Sequence, residues 1–96
     1  MALKTSQQTH ITSLGPRWDR ALAATSLVIR QNPKLVGLDK IRRPLAELAA
    51  LRATDCPGCE GFNLPRDAGK PTQEMQDIVD AAFKDAIETA REMLAT

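Results

Sequence analysis

Cys56 and Cys59 stand two residues apart in Cys56-Pro57-Gly58-Cys59, and they are the only cysteines among 96 residues. The C-x-x-C spacing supports metal chemistry, redox chemistry, or neither. Two thiolates offered from one tight turn can hold a zinc ion at about 2.3 Å each, and Pro57-Gly58 supplies such a turn. A dithiol can instead cycle between its reduced and disulfide forms. In the third reading both are ordinary reduced thiols in a loop. A closed zinc site takes four ligands. The single imidazole, His10, lies near the N-terminus, while Asp55 and Glu60 flank the motif. The neatest completion is a second chain, with Cys56 and Cys59 of two copies sharing one ion. Zinc is thus the candidate cofactor and a homo-oligomer the candidate assembly.

Other constellations fall short. Gly69-Lys70 lacks the first glycine of a phosphate-cradling GxxxxGK loop. With His10 as the only histidine, no Ser–His–acid set can be assembled. Carboxylates pair up near the C-terminus, but in the pattern of an ordinary solvated helix face.

The second chemical feature is charge. Residues 1–54 carry nine basic and three acidic side chains, a net +6; residues 55–96 carry four basic and nine acidic ones, a net −5. Two such halves can fold onto each other, each surface pair gaining about 0–1 kcal/mol. They can also meet between chains, as complementary faces of an oligomer. A third reading takes Lys40, Arg42 and Arg43 as a basic patch for phosphates. That cluster is short and has no aromatic interleaved. The whole chain is only +1, far from the basic character of nucleic-acid binders, which argues against a nucleic-acid partner.

The elements that position these residues are expected to be helices. Hydrophobic residues make up 43% of the chain, charged ones 26%, and aromatics only 3% (Trp18, Phe62 and Phe83). A core of Ala, Leu, Ile, Val and Met leans away from a β-sandwich. No apolar run approaches the ~20 residues of a membrane span, and no signal peptide stands at the N-terminus, so a soluble cytoplasmic protein is expected. Residues 1–13 read as a polar arm and 14–96 as one helical domain. A first helix runs from Pro16 to about Gln31, with Trp18, Ala21, Leu22, Thr25, Val28 and Ile29 on one stripe; Asn32-Pro33 stops it. A second lies within 38–54, either beginning near Arg43 or kinked at Pro44. Residues 55–71 form a loop with three prolines and three glycines, longer than most helix connections. The third helix follows an N-cap at Thr72. Its apolar stripe is broad: Met75, Ile78, Val79, Ala82, Phe83, Ala86, Ile87 and Ala90. Such a stripe covers two neighbours, or one neighbour and another subunit, and is the candidate interaction face. A core this thin commonly recruits a metal or a partner.

Residues 44–90, with Cys56-Pro57-Gly58-Cys59 between two helices, resemble a zinc hook. In that family a CPxC caps an antiparallel helical hairpin and two apices share one zinc. The resemblance implies Cys56 and Cys59 as ligands, although Glu60 stands where zinc knuckles often place glycine. The C-x-x-C on an all-α background is also similar to the alkylhydroperoxidase D and carboxymuconolactone decarboxylase family. That likeness implies a thiol oxidoreductase using Cys56, Cys59 and an upstream Glu47. The family's histidine after the second cysteine is replaced by Asn63, which removes the proton relay. The expectation is therefore a small three-helix, all-α protein, its second and third helices forming a hairpin across the CPGC loop. Its expected role is that of a non-enzymatic interaction or assembly protein that self-associates and uses zinc at the C-x-x-C loop. A helical thiol–disulfide oxidoreductase is one alternative. An adapter or inhibitor of a larger protein, with unreactive thiols, is the other.

Overall fold

A computed structural model describes residues 4–35, 37–55 and 73–95. Four α-helices follow in order: α1 (Thr5–Leu14), α2 (Pro16–Gln31), α3 (Asp39–Ala53) and α4 (Gln73–Ala95). A 3₁₀ turn at Pro33–Leu35 links α2 to α3. Of the described residues 91% are helical and none lies in a strand, so the all-α expectation holds.

The first difference from expectation is α1. The polar arm is helical from Thr5, giving four helices rather than three. Its N-terminus is tied by the Lys4 N–H, which donates to Gln7 Oε1 at 3.0 Å. No residue of α1 is fully buried. Gln7, His10, Ile11 and Leu14 are half-buried, at the three-and-four spacing of one helix face. Two of those four are polar, so the hydropathy period is blurred although the face exists. Gly15 then turns the chain into α2 at φ +57° and ψ −129°, a conformation open in practice only to glycine.

Pro16 opens α2 at a position where its missing N–H costs nothing. Asp19 near the start and Arg30 near the end suit the helix dipole. Ala21, Ala24, Thr25 and Ile29 are buried, while Trp18, Leu22 and Val28 are half-buried. Pro44 does not delay α3, which runs unbroken from Asp39 through it. Proline there leaves the Lys40 carbonyl without its helical donor, and Lys40 is open to solvent.

The core lies among α2, α3 and α4, each packed against the other two. Ile29, Leu35, Ile41, Leu45 and Val79 fill one end together with Ala46, Ala49, Ala82 and Ala86. Ala24, Ala53 and Ala90 meet at the other end. Nine of the fifteen buried apolar residues are alanine. Small side chains let the helices approach closely, but each buries little apolar area, so the hydrophobic stabilisation per residue is modest.

The contacts also fix direction. Arg20 near the start of α2 donates to the carbonyl of Met93 near the end of α4 at 3.1 Å, so α2 and α4 are antiparallel. The turn returning from α2 makes α3 antiparallel to α2 as well, with Thr25 bonded to the Ala46 carbonyl at mid-length. α3 and α4 therefore run parallel. The end of α3 confirms it, since Arg91 donates to the Arg52 carbonyl and pairs with Asp55 at 3.9 Å. The expected hairpin between these two helices is corrected. Asp55 lies beside Arg91, and Arg91 is eighteen residues into α4 from Gln73, about 27 Å at the helical rise. The connection between the two helices is long enough to return that distance, so nothing forces an antiparallel pair.

Candidate functional site

Arg42 and Arg43 are neighbours in α3, so they point about 100° apart. Arg42 turns inward: its side chain is 30% exposed and pairs with Asp39 at 3.3 Å. One of its terminal nitrogens donates to the Leu35 carbonyl at 3.2 Å, fastening the 3₁₀ turn to α3. Its Nε is buried and has no hydrogen-bond acceptor. Arg43 turns outward, 91% exposed, and bonds Glu47 one turn on at 3.1 Å. From α2, Arg30 and Ser26 reach the same space. Together these residues line a groove of about 460 Å³ between α2 and α3, floored by Leu22, Ile29 and Ala46. Three guanidinium groups face one carboxylate, so the groove is basic.

The basic patch read from sequence is thus divided. Arg42 and Arg43 enter the groove, while Lys40 is exposed and does not line it. Arg30 and Ser26 were missed, because only the packing of α2 on α3 brings them beside Arg43. A second groove, about 390 Å³, adjoins the first. It shares Leu22, Arg43 and Glu47 and is closed on the far side by Ile11 of α1 and by Trp18.

The charge of the α2–α4 side is opposite. Glu74, Asp77 and Asp85 line a groove there with Asn32 and Lys34. The three ion pairs among the described residues are Arg42–Asp39, Arg43–Glu47 and Arg91–Asp55. None of them joins a cation of α2 or α3 to a carboxylate of α4. The half-exposed apolar side chains among the described residues are Leu27 and Met93. Arg20 bonds the backbone at Met93, and Leu27 lies two turns from Arg20 on the same side of α2. Both therefore border the α2–α4 side.

The apolar stripe of α4 is used mainly within the chain. Val79, Ala82, Ala86 and Ala90 are buried in the bundle, and Met75, Ile78, Phe83 and Ile87 are half-buried. Its breadth is explained by two neighbours, α2 and α3.

Cys56 and Cys59 lie outside the described residues. Glu47, the acid assigned to the redox alternative, is half-buried and engaged by Arg43. It lies eight residues before Asp55, about 12 Å along the helix. His10 is held at the end of α3, its Nε2 3.0 Å from Thr54 Oγ1. The Thr54 hydroxyl also lies within hydrogen-bond distance of the Ala50 and Leu51 carbonyls of α3. Among the described residues, no three His, Cys, Asp or Glu side chains converge to hold a metal, and no helix is long and apolar enough to cross a membrane.

No protein-family model, no curated protein and no solved structure matches the chain.

Proposed function

We propose that this chain is a small, non-enzymatic helical assembly protein that self-associates. The observation that carries the reading is the unneutralised charge. A basic half and an acidic half belong to one chain, yet among the described residues no ion pair joins the cations of α2 and α3 to the carboxylates of α4. Among the described residues, Arg30 and Arg43 on one side and Glu74, Asp77, Asp85, Glu88 and Glu92 on another are exposed, where complementary surfaces of separate chains can meet. Sedimentation velocity across a concentration series tests it. A mass rising from 10.5 kDa to a multiple of that value supports the reading. A single 10.5 kDa species at every concentration removes it.

A second reading concerns zinc and is favoured by the position of His10. Its imidazole is fixed against Thr54, two residues ahead of Cys56 in sequence. In this reading Cys56, Cys59 and His10 are ligands to one ion. Native mass spectrometry of protein purified without chelator reads metal per chain. One zinc per chain, lost in Cys56→Ser/Cys59→Ser and weakened in His10→Ala, supports it. Half a zinc per chain in an even oligomer instead assigns the ion to cysteines shared between copies. Metal-free protein removes both forms.

A further inference from the structure

Two charged surfaces of the bundle lie on different sides, and they complement each other. Along α4, Glu74, Asp77, Ala81, Asp85, Glu88 and Glu92 recur every three or four residues, and all six are exposed. That interval returns to one side of the helix at each turn, making a stripe about 27 Å long. Gln73 donates to Asp77 at 2.8 Å, but among the described residues no cation pairs with any of the five carboxylates. On another side of the bundle, Arg30 and Arg43 flank the groove between α2 and α3, with the Arg42 Nε buried and lacking an acceptor. No residue of α4 lines that groove, so a chain's own stripe does not fill it.

We propose that the acidic stripe of α4 docks in the basic α2–α3 groove of a second copy of this chain. The inference rests on the self-association reading above and gives it its two surfaces. Both complements are carried by every molecule, so each chain offers its neighbour what it cannot use itself. Glu47 also lines the groove, where it is paired with Arg43. The contact joins two different surfaces and is heterologous.

Charge reversal with cross-rescue tests it. Arg30→Glu/Arg43→Glu makes the groove acidic, and Asp85→Lys/Glu88→Lys makes the stripe basic. All four positions are exposed, and circular dichroism confirms that each variant is folded. Each variant alone is expected to stay monomeric where the wild type associates. Their equimolar mixture is expected to associate again, with a dissociation constant within a few-fold of the wild type's. Folded variants that associate as the wild type does, or a mixture that stays monomeric, overturn the inference and leave self-association standing through another face. A wild type that is monomeric throughout overturns both. If that monomer binds a single-stranded oligonucleotide and the groove variant does not, the groove belongs to phosphates instead.

Discussion

Thr25 carries the one described polar contact between helices inside the core. Its hydroxyl lies 2.9 Å from the Ala46 carbonyl of α3 and 3.1 Å from the Leu22 carbonyl of its own helix. Both acceptors lie within helices, so the hydroxyl adds to bonds that the backbone forms anyway. Thr25→Val keeps the branched shape and removes the donor. A net loss of about 1 kcal/mol is expected, read as a fall in melting temperature of about 4–8 °C for a domain of this size. A valine variant that melts with the wild type would show that shape alone holds this position. Arg42 presents the opposite case. Two of its nitrogens are satisfied and the third is buried without an acceptor, an arrangement that costs free energy in the isolated chain.

At the scale of elements, alanine determines how closely the helices approach. Ala24, Ala53 and Ala90 form the contact where α2, α3 and α4 converge. Ala90→Leu places three further carbons in a space with no room for them, and about 1–3 kcal/mol of destabilisation is expected from the strain. Ala23→Leu, on the exposed side of α2, is expected to stay within about 0.5 kcal/mol of the wild type. Equal denaturation midpoints for the two variants would contradict the packing described. The same elements show what was legible in the chain. α2 is readable because proline marks its start, Asn32-Pro33 its end, and its apolar residues keep the helical period. α4 is readable for its stripe, whose breadth lets it pack against both α2 and α3. α1 escapes because its inward face mixes Gln7 and His10 with Ile11 and Leu14. The direction of α4 escapes because the preceding connection is long enough to permit either orientation. The groove escapes because Arg30 and Arg43, on separate helices, become neighbours only through tertiary packing. Helical character is written in local periodicity. The site is written in the relation between helices, which periodicity does not encode.

For the whole molecule, the separation of charge onto different sides means that the proposed self-association should depend on ionic strength. The screening length falls from about 10 Å at 0.1 M salt to about 3 Å at 1 M. Over that range the association constant is expected to drop at least about tenfold, a response measurable by sedimentation, because exposed charges are strongly screened. Association that holds or strengthens with salt would place the contact on the apolar border near Leu27 and Met93 instead. The parallel course of α3 and α4 has a consequence of a different kind. Asp55 and Gln73 sit at opposite ends of the bundle, about 27 Å apart. A fully extended chain covers at most about 3.3–3.6 Å per residue. Seven or eight intervening residues are therefore the minimum, where the chain has seventeen. Several can be deleted without touching the arrangement of the helices. Below that minimum the chain cannot reach back, and α4 must either reverse its direction in the bundle or pack into the bundle of a neighbouring molecule.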